Sequence, residues 1–99
     1  MAFHIKMFKE DESPGGVRYR AEMTVAVDPY VGKNGRPRYH LAKAVAVFEF
    51  QFASRELAFL TERSDAVFLD GQAHRMRCLV KMRECLRAGR FPETVEWAS

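Results

Sequence analysis

The stretch VRYRAEMTVAV, residues 17–27, constrains the fold of this chain more than any other. Val17, Tyr19, Ala21, Met23, Val25 and Val27 fall on one side of an extended backbone, and Arg18, Arg20, Glu22 and Thr24 fall on the other. So sustained a two-residue period demands a strand with one face in a core and the other in water. The chain has 99 residues, 47% of them hydrophobic, which can close one core but not two, so a single domain over residues 1–99 is expected.

Neighbouring segments supply partners for that strand. Phe3, Ile5 and Met7 alternate with His4, Lys6 and Phe8, predicting a second half-buried strand that the acidic turn EDESPGG, residues 10–16, brings to an end. DPYVGKNGRPR, residues 28–38, reads as a projecting loop with Asn34-Gly35 near its tip, a pair suited to the positive φ angles of a tight turn. In YHLAKAVAVFEFQF, residues 39–52, Ala42, Ala44, Ala46, Phe48, Phe50 and Phe52 form the better core face. Leu41, Val45 and Val47 share the opposite face with Lys43, Glu49 and Gln51. The alanines at one end of the core face suit a helix lying diagonally across the sheet, close to its backbone.

Residues 54–71, SRELAFLTERSDAVFLDG, suit either a short helix capped by Ser54 or a hairpin; the reading adopted is a fourth strand over Ala66–Leu69. Asp70 then reads as the N-cap of a helix from about Gly71 to Ala88, stopped by Gly89. The tail FPETVEWAS opens on the helix-breaking Pro92 and carries the single tryptophan, Trp97, expected to pack back onto the domain. The predicted fold is α+β, an antiparallel sheet of three to four strands packed against one long C-terminal helix.

On that helix Cys78, Leu79, Met82, Cys85 and Leu86 gather into one apolar stripe. Arg77, Lys81, Glu84 and Arg87 lie opposite, with Arg83 and His74 at the borders, and Met76 and Val80 interrupt this polar face. Residues 71–91 hold six lysines and arginines against Glu84 alone, whereas residues 1–70 hold ten of each sign. The chain's net charge of +3 is therefore concentrated on one helix. Such a face is either a solvated surface with cations suited to a helix C-terminus or an electrostatic footprint for a partner. The aliphatic Met76 and Val80 favour a protein contact, since phosphates need no such groups. Lys33, Arg36 and Arg38, with Tyr30 and Tyr39 beside them, make the 28–38 loop a second candidate contact.

Catalytic signatures are lacking. Ser13, Ser54, Ser64 and Ser99 stand in no nucleophile-elbow context, there is no P-loop or dinucleotide-binding glycine motif, and His4, His40 and His74 fall in three different elements. A small enzyme would have to pair one of these histidines with Glu49 or Asp70. His74 and Cys78 have a spacing that can seat two metal ligands, but a structural zinc site needs two more. Cys78 and Cys85 lie about 10 Å apart along a helix axis, beyond disulfide reach, and read as reduced apolar residues. No cofactor or metal is expected.

The longest apolar run, Ala44–Phe48, is too short to cross a bilayer, and the N-terminus has lysines among its apolar residues and no h-region with a small-residue cleavage site, so it does not read as a secretory signal. A cytoplasmic location without membrane contact is expected. The function expected is that of a non-catalytic binding protein that occupies a macromolecular partner, as an inhibitor or adaptor, through the basic helix face and the basic loop. The partner is first an acidic protein surface. Nucleic acid bound with little sequence preference comes next, and a free strand edge or the exposed aliphatics would serve a homodimer.

Overall fold

The alternation at residues 17–27 belongs to a strand longer than its own pattern. The computed structural model describes residues 4–32, 34–35 and 37–98, with only the backbone described over 25–31 and 37–42. Five strands, β1 (His4–Ser13), β2 (Gly16–Val31), β3 (Pro37–Gln51), β4 (Glu56–Phe59) and β5 (Thr94–Ala98), form one antiparallel sheet in the order β4-β3-β2-β1-β5. Between β4 and β5 come a 3-10 turn (Thr61–Arg63), a short helix α1 (Ala66–Asp70) and the long helix α2 (Gln72–Ala88).

Cross-strand register explains the core. Val95, Met7, Ala21 and Ala46 align in one row across β5, β1, β2 and β3, and Trp97, Ile5, Met23 and Ala44 in the next. Tyr19 and Phe48 pair further along and Phe48 meets Phe59 of β4, with ring centroids 5.6 Å apart. Paired alanines leave a shallow strip flanked by large side chains, and Phe68, Cys78 and Met82 from the helices complete the cluster. Leu79, Cys85 and Leu86 pack at its margin, so the predicted apolar stripe of α2 does face the sheet. No polar or charged side chain is buried among the described residues.

The opposite sheet face is a lattice of ion pairs. Arg18 meets Glu49 at 2.6 Å, Glu22 receives Arg20 at 2.9 Å and Lys43 at 3.2 Å, and Glu96 meets His4 at 3.3 Å. This face is not uniformly wet, because Val47 is only 2% exposed. The segment after β4 folds along the β3 edge and covers it. Leu60 N–H donates to the Val47 carbonyl at 2.8 Å, Val47 N–H to Ser64 Oγ at 3.0 Å, and Val45 N–H to Asp65 Oδ2 at 3.0 Å. These bonds replace a neighbouring strand where β4 has ended, satisfying an edge that would otherwise offer itself to another chain.

Several expectations are corrected. The sheet has five strands instead of three to four, and α2 is not C-terminal, because the tail pairs with β1 as β5. The fourth strand is Glu56–Phe59, while Ala66–Leu69 lies in α1, where Phe68 is buried and the Phe68 and Leu69 amides donate to the Asp65 carbonyl. Asp70 ends α1, and Gly71 occupies the cap of α2 without a side-chain bond. EDESPGG is strand as far as Ser13, turning only at Pro14-Gly15, after a bulge between Lys9 and Asp11. The loop over 28–38 is mostly strand as well, since β2 and β3 stay paired to Val31 and Pro37. Sixteen residues of strand span about 54 Å, and the molecule's longest dimension is 55 Å. The predicted stop at Gly89 holds, its left-handed φ of 72° letting its amide bond back into the last turn.

Candidate functional site

Position along α2 sorts the predicted contact residues into two flanks. Met76, Val80, Arg83 and Arg87 follow one another at four, three and four residues, the spacing of a single helical stripe. Met76 is 49% and Val80 38% exposed; with Val67 of α1 they are the large apolar side chains most open to solvent among the described residues. Arg77 and Lys81 lie on the other flank, against β5. The Arg77 guanidinium and the Lys81 Nζ stand 6.0 and 5.8 Å from the Trp97 ring, within reach of a cation–π contact. They do not face solvent opposite the apolar stripe, because the tail returns as a strand and brings Trp97 beneath them.

Between the first flank and β4 runs a seam with two concavities. The upper, about 200 Å³, is lined by Glu56, Leu57 and Phe59 of β4 with Gln72, Arg75, Met76 and Leu79 of α2. The Arg75 guanidinium lies 5.1 Å from the Phe59 ring centroid. The lower, about 420 Å³, is lined by Ser54, Arg55, Arg83, Leu86 and Arg87. Arg83 divides them. Its Nε and Nη2 both donate to the Arg55 carbonyl oxygen at 3.3 Å, and Nη2 lies 3.7 Å from Glu56.

Charge is distributed unevenly around this framework. His4, Lys6, Lys9, Arg18, Arg20, Lys43 and Arg63, all of them on the strands or the turn after β4, each meet a carboxylate. Arg55, Arg75, Arg87 and Arg90 make no ion pair among the described residues; Arg75 and Arg87 belong to α2, Arg90 follows it, and Arg55 lies in the β3–β4 turn. The seam is thus the place where uncompensated positive charge and exposed aliphatic surface coincide.

Of the second predicted contact, Lys33 and Arg36 lie outside the described residues, as do the side chains of Tyr30 and Arg38. Sequence reasoning missed Arg55, Ser54 and the use of Arg75. Only the pairing of β4 with β3 brings the turn between them to α2, and "FASRE" carries no glycine to mark that turn.

The described thiols and imidazoles lie away from the seam. Burial pushes the Cys78 thiol up to about 12 and raises that of Cys85 as well, so both are poor nucleophiles. Burial, aided by Arg77, lowers the pKa of His74, whose ring packs 6.0 Å from that of Phe68. His4 meets Glu96 at 3.3 Å on the exposed sheet face, where it lines a separate concavity of about 270 Å³ with Lys6, Glu22 and Lys43. Among the described residues no three His, Cys, Asp or Glu side chains converge as metal ligands, and no helix is long and apolar enough to cross a membrane. Neither a protein-family model, nor a curated protein, nor a solved structure matches the chain.

Proposed function

We propose that this protein is a non-catalytic binding module that occupies an acidic protein surface with the Met76–Val80–Arg83–Arg87 stripe of α2 and the adjoining seam. The observation that carries this reading is the coincidence of two exposed aliphatics with Arg75 and Arg87, which make no ion pair among the described residues. A soluble surface alone requires neither Met76 nor Val80 to stand open, whereas an interface uses apolar side chains at its centre and charges at its rim for orientation. Nucleic acid would engage the arginines and leave the two aliphatics without a role.

The test is site-specific photo-crosslinking in extract of the source cell, with the crosslinker at position 76, at position 80, or at Lys43 on the ion-paired sheet face. One discrete protein adduct at 76 and 80, absent at 43 and lost when Arg75 and Arg87 are changed to Glu, supports the proposal. Adducts to nucleic acid, or equal labelling from position 43, overturn it.

A further inference from the structure

The lower concavity of the seam has a construction that docking to a protein does not require. Three arginines, Arg55, Arg83 and Arg87, line one space of about 420 Å³ together with Ser54 and Leu86. They come from two elements far apart in sequence. Arg55 sits at the end of the β3–β4 turn and the others in the last turns of α2. We propose that this concavity binds the terminal phosphate of a small phosphate monoester.

The backbone at Arg55 supports the assignment. Its φ is 58°, in the left-handed region where glycine or asparagine is the less costly choice, and its amide donates to Gln51 at 2.8 Å to close the turn. A charged, branchless side chain at such a position gains nothing for the turn itself, but it adds a third arginine to the lining of the concavity. In the same conformation the Arg55 carbonyl accepts both bonds from Arg83. That anchoring fixes the plane of the Arg83 fork and leaves its Nη1 donors uncommitted to Arg55, the arrangement that matches phosphate oxygens.

Charge selects a dianion. Glu56 lies 3.7 Å from Arg83 and offsets one of the three positive charges. The remainder suits the double charge of a monoester more than the single charge on each phosphate of a nucleic-acid backbone. The C-terminal end of α2 contributes partial negative charge, so the arginines and not backbone amides must hold the anion. Leu86 gives the group attached to the phosphate an apolar wall. The site shares Arg83 and Arg87 with the protein contact proposed above, but the inference does not rest on that reading.

Titration of the whole chain with inorganic phosphate and with a nucleoside monophosphate, followed by amide chemical shifts, tests the site. Saturable shifts at Ser54–Glu56 and Arg83–Arg87 are expected, with affinity falling about tenfold in Arg87→Gln and in Arg55→Gly. Arg63→Gln, whose arginine pairs with Glu10 elsewhere, should bind as the wild type does. Because the second phosphate proton binds near pH 6, affinity should also drop between about pH 7.5 and 5.5. Tighter binding of the nucleotide would assign the Leu86 wall to the attached group, and equal binding would assign the site to phosphate alone; both sustain it. No saturable shift at millimolar phosphate overturns the proposal, as does equal weakening in Arg63→Gln or binding to duplex DNA without binding to either monophosphate. Met76→Asp should leave the phosphate titration unchanged while abolishing crosslinking to a partner, so each reading fails on its own.

Discussion

The Tyr19 hydroxyl donates to the carbonyl oxygen of Pro92 at 2.5 Å, joining the middle of the sheet to the chain that leaves α2. Tyr19 is fully buried, and this bond satisfies the one polar atom that its side chain brings into the core. Pro92 is also where the chain turns to enter β5. Tyr19→Phe keeps the ring and its packing on Phe48 but orphans the carbonyl, at a cost of about 1–2 kcal/mol. Urea unfolding checks this: a lowered midpoint with unchanged slope is expected, and an unchanged midpoint would show that water replaces the bond.

Two left-handed residues should respond in opposite directions. Gly89, at φ 72°, ends α2, and a Cβ there meets no atom within 4 Å, so Gly89→Ala is penalised by backbone conformation alone, about 1 kcal/mol. Arg55→Gly relieves a similar penalty, offset by the greater freedom of glycine in the unfolded chain, and should leave stability equal or slightly raised. Thermal unfolding of the two variants measures both signs. A marked loss in Arg55→Gly would show that the Arg55 side chain supports the fold and was not placed for a ligand.

His74 makes stability depend on pH. Burial, then Arg77, lowers its pKa in the folded chain below the usual value near 6.5, so the unfolded chain binds the proton more readily. Its contribution is therefore fully present above about pH 6.5 and is lost as the pH falls through that value towards the lower folded pKa. Gly71 leaves room for the ring, since an added Cβ there would lie 2.2 Å from His74 Cδ2. Chemical denaturation at several values between about pH 7.5 and 5 should show this decline, and His74→Gln should flatten it. An equal slope in the variant would assign the dependence to another group.

Local pattern revealed what local physics decides. Alternation placed Ile5, Met7, Val17, Tyr19 and Met23 on the core face, and helical periodicity placed Cys78 and Met82 beneath α2. Glycine marked the end of the helix at position 89. What escaped were features set by distant partners. TVEWA is too short to announce a strand, and becomes one because the free edge of β1 lies beside it. AVFLD has strand-like composition, but Asp65 is committed to the β3 edge, and the chain coils from there into α1. At the candidate site, Met76, Val80, Arg83 and Arg87 were legible only as part of one basic face shared with Arg77 and Lys81, which Trp97 draws to the other flank, and the place of Arg55 beside them depends on how β4 pairs.

The two flanks of α2 predict opposite outcomes for charge reversal. Arg77 and Lys81 cover Trp97, a residue whose strand pairing sets it opposite Ile5, and Lys81 also meets Glu84 at 3.5 Å. Arg77→Glu with Lys81→Glu replaces two cation–π contacts by carboxylates over a ring face that repels them, beside the existing charge of Glu84. A loss of about 1–3 kcal/mol is expected. Arg75→Glu with Arg87→Glu removes cations that make no ion pair among the described residues and one cation–π contact, of Arg75 with Phe59, and should cost about 0.5–1 kcal/mol. Measuring both double variants by thermal unfolding before any binding assay separates a fold defect from an interface defect. If the Arg75 and Arg87 pair proves the more destabilising, the seam is built to hold α2 on the sheet, and its positive charge needs no partner to explain it.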